Sequence, residues 1–460
     1  MENVYFIGAG GIGMAALERY FMAKGKKVAG YDRTPTALTD ALMAEGADIT
    51  FTPDPDTIPE EFRNPDTTLV IYTPAVPDDM PILRYFREGG FEVMKRAKAL
   101  GIITRDSKSL CFAGTHGKTT TSSMAAHILN CGSIGCNAFL GGVLKNYNSN
   151  FLLRPSSPYS VIEADEYDRS FHHLTPTVAV ITATDPDHLD VYGTEEAYLE
   201  SFAHFTELIK PGGTLIVHEG LKLKPRPAEG VKVYTYSRDK GDFHASYIRR
   251  DPGSITFDIV TPRGTIRNVN LGVPVEVNIE NAIAAAAAVC CTEAFEPEVI
   301  RTALSSYQGT KRRFESWLKE RNGSGRVIID DYAHHPEELR SSIASVKALY
   351  PGRHLTVAFQ PHLYTRTRDF ADEFAATLSE ADSVILLDIY PAREEPIEGV
   401  TSDIIFRNVK SADKTLITKE KLVETLKNRN FDILLTAGAG DICNYLPQLV
   451  ESLTANEVKG

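Results

Sequence analysis

Apolar and polar positions alternate in blocks from the first residues onward. "VYFIG" (residues 4–8) is a short apolar run that predicts a strand, and "MAALERYFMAKG" behind it predicts a helix closing at Gly25. "KVAGYD" and "ALTDALMAEGA" repeat the pair, and "TTLVIYTPAV" is a third strand broken at Pro74. Strands alternating with crossover helices predict a parallel sheet. The rhythm ends near "KRAKALGII" and restarts at "SKSLCFAGTHGKTT", which puts a boundary near Arg105. A second block runs to about Thr310. It holds the strands "YSVIEAD" and "PTVAVITAT", a β-rich stretch over residues 231–273, and "NIENAIAAAAAVCC", whose small side chains predict a closely packed, buried helix. A third block opens at "GRVIIDDYAHHPEELRSSIASVKALY" and adds strands in "HLTVAFQ", "SVILLDIY" and "FDILLTAGAG". The expected architecture is α/β, three blocks in series over residues 1–105, 106–311 and 312–460, with no short repeat or low-complexity tract.

Length agrees with that division, since 460 residues are too many for one ordinary core. Against 61 acidic side chains stand 49 Lys and Arg, a net charge of −12, so nucleic acid is not an expected partner. A local loop can still hold a phosphate on an acidic protein. The six cysteines, Cys111, Cys131, Cys136, Cys290, Cys291 and Cys443, include no C-x-x-C pair, which argues against structural zinc. Cys111 sits in an apolar run and is expected in the core. No basic leader with a cleavage site opens the sequence and no stretch reaches the apolar length of a membrane span. A cytoplasmic protein with no membrane insertion is the expectation.

Two glycine loops carry the candidate chemistry. In "GAGGIGM", Gly8, Gly10 and Gly13 match the G-x-G-x-x-G fingerprint, with Gly11 between them and Asp32 at the end of the second strand. That pattern alone suggests a nicotinamide-dependent oxidoreductase. The second loop, "FAGTHGKTTT", contains Gly114, Thr115, His116, Gly117, Lys118, Thr119 and Thr120 between a strand and a helix. It is a shortened phosphate loop, with Phe112 where the first glycine usually stands. Glycines let backbone N–H groups curl round phosphate oxygens, Lys118 would reach the β- and γ-phosphates, and the Thr119 hydroxyl would ligate Mg²⁺. The plain alternative is a glycine turn with an exposed lysine. "VIEADEYD" offers Glu163, Asp165, Glu166 and Asp168, and "ITATDPDHLDVYG" offers Asp185, Asp187, His188 and Asp190. Either loop alone could be solvated acid; behind a phosphate loop they suit magnesium. "GTKRRFE" places Lys311, Arg312 and Arg313 at a block junction, as a basic linker or as an arginine reaching onto a phosphate. "DDYAHHPEE" and "QPHLYTRTRD" put His334, His335, His362, Arg366 and Arg368 at strand ends, where open α/β sheets bind ligands. A histidine pair there could also merely cap a helix.

Seven stretches, "GTHGKTTT", "EADE", "DPDHLD", "VNIENAIAAAAA", "GTKRRFE", "DDYAHHP" and "QPHLYTRTRD", occur in an order and rough spacing that resembles the ATP-dependent Mur ligases over the whole chain. The last two favour the alanine-adding member. The resemblance implies a Rossmann-like N-terminal domain for the UDP-sugar, a P-loop-type central ATPase with a mixed sheet, and a Rossmann-like C-terminal domain for the amino acid. It implies ATP, two Mg²⁺ ions, UDP-N-acetylmuramate and L-alanine as ligands, and an acyl-phosphate intermediate in peptidoglycan synthesis. By the same resemblance Lys118, Thr119 and Glu163 serve the phosphates and first Mg²⁺, and His188 a second. Asn278 and Asn281 lie on the adenine side, Arg313 on the phosphates, and Asp330 or Asp331 near the ribose. Tyr332, His334, His362 and Arg366 surround the alanine and the reacting carboxyl, and Lys118, His188, His334 and Arg366 are the catalytic set. Gly8, Gly10, Gly11 and Gly13 would hold a UDP-sugar diphosphate rather than a dinucleotide, with Asp32 and Thr73 toward uridine or ribose. Departures are Leu363, where the resemblance implies arginine in many relatives, and the lack of a lysine between His188 and Lys210, a position some sister enzymes modify. Tyr167 and Arg169 receive no role. Competing expectations are the nicotinamide oxidoreductase, a recycling ligase that attaches a preformed peptide, and a nucleotide-gated binding protein.

Overall fold

The computed structural model describes residues 1–73, 76–186, 189–251, 253–318, 325–392, 394–429 and 431–457. The first sheet has the order β3-β2-β1-β4-β5, all parallel: β1 Asn3–Ile7, β2 Lys27–Tyr31, β3 Asp48–Thr50, β4 Thr68–Tyr72 and β5 Glu92–Lys95. Its central strands β1 and β4 are almost continuously apolar because both faces are covered. Val4 and Phe6 enter one core, Tyr5 and Ile7 another on the opposite face. The strand order reverses between β1 and β4, and the first glycine loop follows β1 at that switch point.

The second sheet comprises β6 Lys108–Ala113, β7 Asn137–Leu144, β8 Ser149–Leu152, β9 Tyr159–Glu163, β10 Val178–Ile181, β11 Thr214–His218 and β12 Lys232–Tyr236, in the order β12-β11-β10-β6-β9-β7-β8. It is mixed, because β8 runs antiparallel to β7. β6 lies between β9 and β10, parallel to both, so the loops leaving these three strands share one edge. A three-stranded sheet follows, β13 His244–Asp251, β14 Ser254–Thr261 and β15 Gly264–Asn270. The alanine-rich helix Val277–Cys290 is buried as its small side chains require, Ala282 to Val289 being wholly inaccessible. The last sheet has the order β16-β17-β21-β18-β19-β20: β16 Glu315–Leu318, β17 Val327–Asp331, β18 Leu355–Phe359, β19 Ser383–Leu387, β20 Asp413–Ile417 and β21 Ile433–Ala437. β16 is antiparallel, and the alternating residues of the others feed separate cores on the two faces.

The chain parts into two compact units, Met1–Ile248 with Phe257–Val269 and Ile279–Tyr307, and Arg249–Thr256 with Asn270–Asn278 and Gln308–Gly460. Inside the first unit one hydrophobic core runs from Val4 to Leu223 and joins the first two sheets. Their seam is also polar. The Lys210 ammonium donates to the carbonyls of Thr104, Arg105 and Ser107 at 2.7, 3.1 and 2.7 Å, capping the helix Arg96–Asp106. Gly101 in that helix lets the His173 carbonyl come so close that any side chain would collide with it. Cys111 is in the core, as its apolar run predicts.

Candidate functional site

The first loop turns out of β1 through Gly8, at φ +88, a region that favours glycine. A Cβ at Gly8 would strike Thr73 Cγ2, so Thr73 at the end of β4 is the wall behind the loop. Gly10 donates its N–H to Asp32 Oδ2 at 2.6 Å, and Thr34 N–H reaches Oδ1 of the same carboxylate at 3.1 Å. Asp32 thus braces the loop. Gly11 is the N-cap of the helix Ile12–Ala23 and Gly13, in its first turn, lies against the Arg96 guanidinium. The first-turn N–H groups of such a helix lack intrahelical partners and favour an anion. The helix also carries Glu18, wholly buried, with neither carboxyl oxygen hydrogen-bonded among the described residues. Burial pushes its pKa up to about 8 from an ordinary 4.5, so it is held neutral.

The second loop is built more tightly. Gly114 and Gly117 have φ of +140 and +81. A Cβ at Gly114 would collide with Thr182 Oγ1, and one at Gly117 would come within 2.9 Å of Asn281 Oδ1. Thr182 donates to the His116 carbonyl, while Thr115 N–H donates to the Ala183 carbonyl at 3.1 Å, so β10's following segment backs the loop. Thr115 Oγ1 donates to the Asp185 carbonyl at 2.7 Å and lies 2.9 Å from Tyr198 Oη. His116 lies on the exposed side, its Nε2 at 3.9 Å from Asp185. Lys118 opens the helix Lys118–Cys131, and Thr120 is in its first turn. Lys118 Nζ donates to the Gly114 carbonyl at 2.6 Å and to Glu166 Oε1 at 2.8 Å. Thr119 Oγ1 donates to Glu163 Oε1 at 2.9 Å, and Gly141 N–H holds Oε2 of the same carboxylate at 2.9 Å. A hydroxyl and a carboxylate in contact at a phosphate loop are hard oxygen donors of the kind that suit Mg²⁺, phosphate and water completing its shell. Asn281 Oδ1 accepts from Thr121 Oγ1 at 3.2 Å, which ties the alanine-rich helix to this loop's helix. His188 and Asp187 lie outside the described residues.

In the other unit Asn278 is buried and donates to the Val273 carbonyl at 3.0 Å. The basic run divides its labour. Arg312, at φ +61, is anchored: it donates to the carbonyls of Gly438 and Gly440 and lies 3.4 Å from Asp330. Both guanidinium groups lie over the Tyr332 ring, Arg312 at 5.0 Å and Arg313 at 5.1 Å from its centroid. Asp330 is fully buried, accepts from Thr436 Oγ1 at 2.6 Å, and is pushed by burial up to about 7. Asp331 accepts N–H groups from Phe314 and Tyr332 and the hydroxyl of Ser342, and so orders the turn out of β17. His334 Nδ1 is 2.9 Å from the Tyr332 carbonyl; the imidazole is pushed down by burial and held neutral, with Nδ1–H donating. Its ring meets that of His362 at 6.0 Å. His362 is lowered to about 4 by burial, then by the neighbouring His334 and Arg366. Leu363, at φ +69, donates its N–H to the Tyr390 carbonyl and Tyr390 returns an N–H to Pro361, which stacks His362 on Tyr390 at 5.8 Å. Arg366 follows in the short helix Tyr364–Asp369, whose Thr365 is clasped by Glu394. His335 packs on Phe370. Tyr390, Arg312 and Glu166 are the participants to which sequence reasoning gave no individual role; Arg312 and Glu166 carried a signal, in the basic run and as an acid after a strand beside the lysine loop, and Tyr390 carried none.

Models of the Mur ligase family, catalytic domain, the Mur ligase middle domain and the Mur ligase, glutamate ligase domain match residues 3–108, 112–289 and 312–440. The chain is 55% identical over 450 residues to the UDP-N-acetylmuramate–L-alanine ligase of Phocaeicola vulgatus, covering 98% of this chain and 97% of that protein. The same enzyme of Parabacteroides distasonis is 57% identical over 451 residues, again covering 98% and 97%. Among solved structures, the UDP-N-acetylmuramate-alanine ligase of Thermotoga maritima superposes with a TM-score of 0.78 at 25% identity, over 99% of both chains. A murein peptide ligase of Psychrobacter arcticus shares the fold with a TM-score of 0.63 at 21% identity, over 98% of this chain and 99% of that one.

Proposed function

The chain belongs to the Mur ligases, and we propose that it joins L-alanine to the carboxylate of UDP-N-acetylmuramate with hydrolysis of ATP to ADP and phosphate. The observation that carries the phosphate chemistry is the shared edge of β6, β9 and β10, where Lys118, Thr119 and Glu163 meet. Full-length similarity to alanine-adding ligases supports the substrates. We place the domain boundaries near residues 105 and 311 and the reaction in the cytoplasm. Among the described residues no helix is long and apolar enough to cross a membrane.

A carboxylate is a poor electrophile, so its oxygen first attacks the γ-phosphorus, releasing ADP and leaving an acyl phosphate. The amine of alanine then attacks the acyl carbon, and the tetrahedral intermediate expels phosphate to give the amide. Attacking carboxylate and ATP are both anionic, so cations must offset their repulsion. Lys118 and Arg313 supply side-chain charge on the phosphates. Thr119 and Glu163 would hold one Mg²⁺ and His188 a second, and bound metal would polarise the transferred phosphoryl group. Asn278 and Asn281 are assigned to the adenine side and Asp331 to the ribose side. Gly8, Gly10, Gly11 and Gly13, with Asp32 and Thr73 bracing them, hold the diphosphate of the UDP-sugar. Tyr332, His362 and Arg366 line the alanine side. His334, kept neutral with Nδ1–H on a carbonyl, has Nε2 as the acceptor for the proton the amine must lose.

The test is phosphate release with ATP, Mg²⁺, UDP-N-acetylmuramate and L-alanine, each left out in turn. Release is expected only with all present. Equal release without an amino acid would overturn the ligase reading, and preference for a tripeptide over alanine would convert it to the recycling reaction.

A further inference from the structure

Once Glu163 has its partners, a second glutamate of the same loop remains. Glu166 is not a surface acid: its side chain is 2% exposed, against 15% for that of Lys118. Oε1 accepts from Lys118 Nζ at 2.8 Å, and Oε2 has no hydrogen-bond partner among the described residues. Burial drives its carboxyl upward and Lys118 opposes that drive. The cation paired with this buried carboxyl is therefore the same one the phosphate loop offers to nucleotide. The surroundings fix the pair. Tyr192 Oη donates to the Glu166 carbonyl at 2.5 Å, and the Arg169 guanidinium lies over the Tyr192 ring at 4.6 Å. Asp168 and Arg169, at φ +52 and +55, form the left-handed turn from which Arg169 reaches that ring. Non-glycine residues held in this region mark a conformation maintained by its contacts.

We infer that Glu166 is a positioning residue acting through Lys118: it seats the ammonium before nucleotide arrives and offers it a seat to return to when ADP leaves. The inference rests on the nucleotide reading of the loop. A carboxylate beside Lys118 offsets the charge an incoming polyphosphate would meet. A unit charge several ångströms away in a partly buried site shifts polyphosphate affinity by about tenfold. Glu166 thus lowers affinity for nucleotide and speeds release, whereas a merely structural side chain would leave affinity unchanged or, on removal, weaken it by loosening the loop.

The experiment titrates the full chain with Mg²⁺–ADP and measures dissociation. In Glu166→Gln, which keeps size and an acceptor but not the charge, the ADP Kd is expected to fall about tenfold with slower dissociation, KM for ATP falling and kcat falling with it. Glu166→Asp, which keeps the charge, is expected to stay within about threefold of the parent. Tyr192→Phe unties the Glu166 backbone and is expected to shift ADP binding in the same direction by a smaller factor. Unchanged or weaker ADP binding by a Glu166→Gln protein with a parent-like circular dichroism spectrum overturns the inference. Should that variant fail to fold, absence of tightening in Tyr192→Phe overturns it instead. A parent chain that binds no ADP, or a Lys118→Ala chain that binds it as the parent does, defeats the nucleotide reading rather than this one.

Discussion

The chain builds two loops on one plan, strand, glycine turn and helix, and gives them opposite electrostatics. Behind β1 the turn carries no lysine; its Gly10 N–H is held by Asp32, and the nearby buried acid, Glu18, is neutral. Behind β6 the turn carries Lys118, and the buried acid, Glu166, is ion-paired to it. On the proposed reading the first loop grips a diphosphate that stays intact, mainly by backbone and helix end. The second, on the same reading, brings a point charge to a phosphate whose bond is to be broken. A glycine fingerprint therefore reports how closely backbone can approach a phosphate, while the cation and acids beside it report whether chemistry follows.

The comparison is broken most directly at Lys118. Lys118→Ala is expected to reduce ATP-dependent phosphate release by about 10³-fold or more while UDP-sugar binding persists, since cation clamps on a transferring phosphoryl group contribute on that scale; retention of activity would remove the difference between the loops. Glu18 offers the next effect, on stability. Its folded pKa is about 8 against an ordinary 4.5. Between those values the folded chain keeps a proton the unfolded chain has lost, so stability falls as pH rises through that window. Glu18→Gln should remove this contribution to the slope, leaving that of Asp330, and raise stability at pH 8.5 by about 4 kcal/mol, read from melting curves at pH 5 and pH 8.5. Gly8→Ala places a side chain at φ +88 against Thr73 and is expected to destabilise by about 2 kcal/mol. It should raise KM for the UDP-sugar more than KM for ATP, and the reverse ranking in steady-state kinetics would mean that the first loop does not hold that substrate. Asp32→Asn, which weakens one charge-assisted contact to Gly10, should cost about 1 kcal/mol of loop stability and shift the same KM by severalfold, checked by the same assay.

The sheets were legible because strands covered on both faces are continuously apolar and their ends are marked by glycine and acid. The grouping of Lys118, Thr119 and Glu163 was legible for the same reason, since each sits at the end of, or just past the loop after, one of two adjacent parallel strands. What a polar residue holds was not. Asp32 reads as a ribose acid from its place after β2, yet its partner is a backbone N–H in a loop 22 residues earlier. Arg312 and Arg313 are equal in sequence and both lie over Tyr332, and only the Gly438 and Gly440 carbonyls mark Arg312 as the anchored one. Tyr390 gave no signal because its link to His362 depends on the positive φ of Leu363. Hydrophobic patterning is written in local periodicity, whereas hydrogen-bond partnership depends on contacts across the fold.

The ammonium of Lys210 on the last carbonyls of the helix Arg96–Asp106 bears on how such enzymes can be recombined. A chimera joined at residue 105 would take its first sheet from one parent and the lysine that finishes that sheet's last helix from another. Gly101 would have to accept a foreign backbone where His173 now stands, and Ala99 and Ile103 a foreign core. Exchanging the first sheet for that of another parent therefore calls for the segments around His173 and Lys210 to travel with it, so the exchangeable piece is larger than the first sheet and discontinuous along the chain.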